Sequence, residues 1–283
     1  NYFIASDGNL TYKIGELIEE KNISTRYVNK YYLSGKLTQE RINYFLECME
    51  EKVKLNRDFD PITYYYYLLY WLSYFKFNFS IFIFFILFLS ILSILLTKGR
   101  SIPLAIFTTG FAGGGMEIIL LLAFQIIYGY VYTQIGIMIT LFMLGITLGC
   151  FYIHRNLKRI KLNGLIKIEI LIFVYCILIP LIFIQSHKIE NKVLLFIIAN
   201  FMFPTSIFLL GLLIGAEFPI ASKFYKGKMG ETASVLYFSD LIGGCIGSLS
   251  LISILLPFLG LINSSFLIAI LNLITGILVK MKH

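Results

Sequence analysis

Runs of apolar residues separated by short clusters of lysine, arginine and glycine dominate the chain from residue 79 onward. Seven of these runs are predicted to be transmembrane helices, at about 79–97, 103–127, 132–153, 165–185, 193–218, 233–256 and 261–279. Each is close to the ~20 residues needed to cross a hydrocarbon core. The first 61 residues follow a different pattern. They predict a strand at Tyr2–Ser6, a turn at Asp7-Gly8-Asn9 and a helix at Tyr12–Lys21, then an extended piece at Thr25–Tyr31 and a helix at Thr38–Lys54. Ile42, Phe45, Leu46 and Met49 fall on one face of that last helix, and Thr38 stands where it would be capped. A lone strand has unpaired backbone groups on both sides, so its partners are expected upstream of Asn1 and the chain is expected to be the C-terminal part of something longer. The alternative is a small self-contained helical head, although so short a segment buries little core. Between head and spans, residues 62–78 follow Pro61 and are rich in tyrosine and tryptophan, as a segment at the lipid headgroup level is. They read either as an interfacial helix over 62–77 or as an aromatic collar on an extended first span.

Composition strengthens the membrane reading. The chain has 283 residues, 58% of them hydrophobic and 14% charged, with a mean hydropathy of +0.81. No ordinary soluble domain hides so much apolar surface in one core. The net charge of +8 is unevenly spread: residues 1–61 hold 9 basic and 10 acidic side chains, and the remainder holds 15 and 6. Long apolar runs separate the basic residues, so they suit loops facing anionic lipid, and they form no stripe for nucleic acid.

Alternate loops place Lys98, Arg100, Arg155, Lys158, Arg159, Lys161, Lys223, Lys226, Lys228, Lys280 and Lys282 on one side, against Lys188 and Lys192 on the other. This asymmetry predicts that the first set and the C-terminus are cytoplasmic in a multi-pass protein of the plasma membrane. With seven spans, residues 1–61 then lie outside. Either that is so, or 62–78 adds a crossing or re-entrant turn, or the charge count misleads. Cys48, Cys150, Cys176 and Cys245 show no CxxC spacing, which argues against a disulfide framework or a zinc site.

Candidate chemistry is sparse. Gly113-Gly114-Gly115-Met116-Glu117 has the look of a nucleotide loop, but it lies inside an apolar run where glycine serves close helix contact. Gly145 with Gly149, Gly211 with Gly215, and Gly243, Gly244 and Gly247 are likewise expected at helix interfaces. The informative residues are the intramembrane acids Glu117, Glu169, Glu217 and Asp240, because an ionisable group in the bilayer normally faces the bundle interior or a water-filled path. Glu117, Glu217 and Asp240 form the candidate polar site, able to bind a proton or a cation. Glu169 could instead pair with Lys167 or a loop base, and Glu217 could snorkel to the surface. His154, His187 and His283 read as surface histidines. No catalytic, cofactor-binding or metal-ligating set assembles from the loops.

Several stretches together resemble the membrane-bound spermidine synthase-like family, polyamine aminopropyltransferases fused to multi-span segments. They are NYFIAS at 1–6, TRYVNKYY at 25–32, LNRDFDPITYYYYLLYW at 55–71, GFAGGGMEIILL at 110–121 and MLGITLGCFYIHR at 143–155. The closing half, GLLIGAEFPIAS at 211–222, ASVLYFSDLIGGCIGSL at 233–249 and LLPFLG at 255–260, is the most specific piece. The resemblance implies that residues 1–61 are the C-terminal remnant of a Rossmann-like α/β catalytic domain lying upstream. It also implies a parent activity of aminopropyl transfer from decarboxylated S-adenosylmethionine to a diamine such as putrescine. That family's nucleotide loop and catalytic aspartate fall outside 1–283, so the chain alone is expected to be inactive and to hold no cofactor. Its expected partners are the lipid bilayer, the upstream catalytic domain and a polyamine. The expectation from a different class is a transporter-like bundle that binds or moves a cation, and a third is a passive anchor whose acids only fix helix packing.

Overall fold

The computed structural model describes residues 11, 13–27, 30–36, 38–50, 55–57, 59, 61–74, 100–129, 132–186 and 191–282. These fall into two units, Asn1–Leu55 and Asn56–His283. The expected strand and turn over 2–9, the span at 79–97, and Lys98, His187, Lys188 and His283 lie outside the described residues.

In the first unit, α1 (Ile14–Glu20) ends where Asn22 adopts a left-handed conformation, φ 51°. The Ile23 N–H then reaches back to the Ile18 carbonyl at 3.0 Å, the hydrogen bond that closes a helix C-terminus around a left-handed residue. The stretch expected to be extended to Tyr31 instead enters a helix, α2 (Lys30–Lys36). Its tyrosines favour strands only where a pleated neighbour exists, and among the described residues there is no strand. In α3 (Gln39–Glu50) the Thr38 carbonyl accepts from the Ile42 N–H at 3.0 Å, so Thr38 stands at the helix start.

The second unit opens with α4 (Ile62–Tyr74), directly after Pro61. Among its described residues five helices are long and apolar enough to cross a membrane: Ser101–Tyr128, Tyr132–Arg159, Asn163–Ile184, Asn200–Phe224 and Met229–Lys282. The protein is a helical integral membrane protein. The elements are α5 (Ser101–Tyr128), α6 (Tyr132–Asn156), α7 (Asn163–Ser186), the short α8 (Lys192–Ile197), α9 (Phe203–Phe224), α10 (Met229–Ser250) and α11 (Leu256–Lys282). The last long helix is not continuous. Gly260, at φ 74° and ψ 177°, breaks it, a conformation open essentially to glycine alone. The helix expected to end at 218 runs on to Phe224, with Pro219 inside it.

Two glycine seams organise the bundle. A Cβ added to Gly110 would fall on the Asp240 carbonyl of α10, and one on Gly114 would fall on the Gly244 carbonyl; Gly243 and Gly247 meet the Phe107 and Phe111 carbonyls of α5 in return. Helices α5 and α10 therefore run parallel, backbone against backbone. The second seam repeats this register. Gly211 and Gly215 of α9 meet the Phe142 and Ile146 carbonyls of α6, while Gly145 and Gly149 meet the Phe208 and Leu212 carbonyls. Gly110 thus corresponds to Gly211, Gly114 to Gly215, Gly145 to Gly243 and Gly149 to Gly247. Contacts of Thr109 with Glu217, Gly113 with Ile214 and Phe124 with Phe203 set α5 antiparallel to α9. Contacts of Glu169 with Thr275 and Cys176 with Ser265 set α7 antiparallel to α11. The three helices α5–α6–α7 and the three helices α9–α10–α11 are therefore two inverted units related by a pseudo-twofold axis across the bundle, which passes at Gly113 and Ile214.

The arrangement gives the bundle two ends. At the basic end, Arg100 donates to the Tyr225 hydroxyl and lies 3.7 Å from Glu231. Lys223 Nζ binds carbonyls of the turn that follows α6, at 2.8 Å from both Leu157 O and Ile160 O. At the opposite end, beside the Gly260 break, the Leu261 N–H donates to the Phe59 carbonyl at 2.9 Å, and the Tyr65 ring lies 5.0 Å from that of Phe258.

Candidate functional site

Where the two units meet, a groove of about 310 Å³ lies over Gly113 and Ile214, between α6 on one side and α10 on the other. Its floor is the α5–α10 seam, where Gly110, Gly114 and Gly244 let the two backbones meet. Each unit contributes one carboxylate: Glu117 from α5 and Asp240 from α10. Both are partly buried, and neither hydrogen-bonds or ion-pairs with protein among the described residues. Ser248 adds a hydroxyl, while Phe142, Met143, Ile146 and Leu241 make the walls apolar. Both acids lie near the middle of their helices, so the groove sits at mid-bundle. Two acceptor-only groups facing an apolar slot suit an elongated cation with an aliphatic body.

Glu217 is not in the groove. The sequence groups it with Glu117 and Asp240 or lets it snorkel to the surface; in the structure its side chain is wholly buried, 0% exposed, and accepts from the Thr109 hydroxyl. The helix continues beyond Pro219, which carries Glu217 inside the bundle. Glu169 is buried to the same degree. It does not pair with Lys167, which is exposed, but accepts from Thr275 Oγ1 at 3.3 Å. Thr275 in turn lies 3.0 Å from Thr108 Oγ1. Glu169, Thr275, Thr108, Thr109 and Glu217 thus make a second polar cluster across α7, α11, α5 and α9, toward the basic end. Asn272, one turn before Thr275, is buried beside it and donates its amide to the Ile268 carbonyl at 2.8 Å.

Glu169 stands outside the candidate site that the sequence suggests, and Thr108, Thr109, Asn272 and Thr275 are not singled out by it. The available signal was Asn272 with Thr275, polar residues three apart inside an apolar run. Gly113 meets Ile214 and Gly115 meets Ile268, so the glycine run is helix interior. His154 lies in the last turn of α6. Among the described residues no group of three or more His, Cys, Asp or Glu side chains is placed to hold a metal ion. Compared with known proteins, the chain matches no family model, no curated protein and no solved structure.

Proposed function

We propose that this protein is a seven-span, transporter-like bundle whose mid-membrane groove binds an amine cation of the polyamine class at Glu117 and Asp240. The observation that carries the reading is the groove's position on the axis between two inverted units, with one unpaired carboxylate from each. Discontinuous, inverted bundles hold their substrates at that place, and intramembrane acids without protein partners are suited to a mobile cation. The span count is supported by the Gly260 break, which divides Met229–Lys282 into two crossings. It is supported also by Phe59, bonded at the end opposite Arg100, since an odd number of crossings then separates the two.

The test is uptake of labelled spermidine into vesicles containing the purified chain. Glu117→Gln and Asp240→Asn each remove a charge-assisted contact, and uptake is expected to fall about tenfold or more in each while the protein remains inserted. Unchanged flux in the double variant would refute the reading.

A second reading is compatible with the first and rests on the stretches GLLIGAEFPIAS and ASVLYFSDLIGGCIGSL: the chain is the membrane portion of a spermidine synthase-like protein. The catalytic domain, which uses decarboxylated S-adenosylmethionine, then lies upstream of the remnant at 1–61. Under this reading the purified chain transfers no aminopropyl group to putrescine, and measurable turnover would count against it.

A further inference from the structure

The cluster behind the groove is short of hydrogen-bond donors. Glu169 Oε2, Glu217 Oε1 and Asn272 Oδ1 are buried and have no hydrogen-bond partner among the described residues. The Asn272 amide is committed to a backbone carbonyl. Thr275 has one hydroxyl hydrogen, with Glu169 Oε1, the Leu271 and Asn272 carbonyls and Thr108 Oγ1 all within 3.3 Å. Thr108 has its own carbonyl acceptors, Leu104 and Ala105. No lysine, arginine or histidine among the described residues pairs with either glutamate: Lys167 and Lys280 are exposed, and Lys223 binds carbonyls of the turn after α6. A proton on a carboxyl oxygen turns a surplus acceptor into a donor, and so eases this shortage without moving a helix.

We propose that Glu169 and Glu217 are proton-carrying residues, forming with Thr109, Thr108 and Thr275 a relay between the groove and the basic end of the bundle. The titratable groups facing the pair are each other and, from α10, Asp240, which lies within electrostatic range of Glu217. Glu217 therefore lies within reach of both the groove acid and Glu169. Arrival of one ammonium charge beside Asp240 is balanced by departure of one proton: the O–H bond of a glutamic acid breaks, its electron pair stays on the carboxylate, and water at the basic end takes the proton. The coupling rests on the groove reading; the protonated pair does not.

Infrared difference spectra of the chain in detergent micelles test the pair directly. Wild type is expected to show the carbonyl stretch of a protonated carboxylic acid, shifted in D2O. The band should persist in Glu117→Gln with Asp240→Asn, and weaken in Glu169→Gln and in Glu217→Gln. Absence of the band in wild type, which requires no variant to fold, overturns the proposal, as does full intensity in both glutamine variants. With the band present, adding spermidine in weak buffer should release protons to an indicator dye, and Glu217→Gln should abolish the release while equilibrium dialysis still detects bound spermidine. Undiminished release in Glu217→Gln overturns the relay. If wild type binds no spermidine yet shows the band, the groove reading fails and the proton site stands.

Discussion

Thr275 shows how much one buried hydroxyl can carry. Among the described residues it is the only donor to Glu169, and it also lies against Thr108. Replacing it with valine keeps the shape but leaves a buried carboxyl with no partner, which costs about 1–3 kcal/mol. Thr108→Val removes a hydroxyl with backbone carbonyls of its own helix within reach, so its cost should be nearer the ~0.6 kcal/mol typical of a hydrogen bond within a membrane. Thermal unfolding in detergent is expected to rank Thr275→Val clearly below Thr108→Val and wild type; equal losses would contradict the donor accounting. Single residues were also where sequence reading reached its limit. The acids stood out because a charge in an apolar run is costly wherever it points. Whether Glu217 faced water or a threonine depended on a helix passing through Pro219, which local pattern predicts to be an end. Threonine and asparagine are common enough in spans that their convergence on Glu169 emerges only in three dimensions.

Between residues and the whole stands the helix pair. In lipid, apolar side chains gain nothing by leaving one apolar neighbour for another, so pairing rests on close backbone approach and buried hydrogen bonds. Spacings of three and four made the seam glycines legible in the sequence, but not their partners, since nothing in a glycine names the helix it meets. Gly215 makes the point: a Cβ there would strike the Ile146 carbonyl, which cannot rotate away. Gly215→Leu should therefore part α6 from α9, with a loss of about 1–3 kcal/mol or more. Pro180 works differently. It lacks the N–H that would reach the Cys176 carbonyl, and the Ser265 hydroxyl of α11 donates to that carbonyl at 2.6 Å. The break at Gly260 belongs to the same scale. Gly260→Ala places a Cβ where φ is 74°, at a cost of order 1–3 kcal/mol. It should lower the melting temperature more than Gly136→Ala, where a Cβ meets nothing within 4 Å and the backbone is helical.

For the whole molecule the decisive property is which parts of the chain share a side of the membrane. The periodicity of apolar runs made a multi-span bundle legible, and charge counting separated the loops, but neither revealed that α5–α6–α7 and α9–α10–α11 are inverted copies. The inversion is written in contacts between residues about a hundred positions apart, and sequence similarity need not accompany it, since Asp240 corresponds to Phe142. Arg100, Lys158, Tyr225 and Lys282 fall at one end of this arrangement, and Gly129, Asn191, Gly260 and Phe59 at the other. The hydrogen bond from Leu261 to Phe59 makes the prediction sharp, because it fixes a residue preceding the first long span at the end opposite Lys158. Single cysteines at Asn56 and Lys158, in a background with Cys48, Cys150, Cys176 and Cys245 replaced by serine or alanine, should react with a membrane-impermeant maleimide from opposite sides of sealed vesicles. A cysteine at Lys226 should follow Lys158, and one at Asn191 should follow Asn56. If Asn56 and Lys158 are labelled from the same side, the chain crosses an even number of times between them, and the seven-span arrangement is wrong.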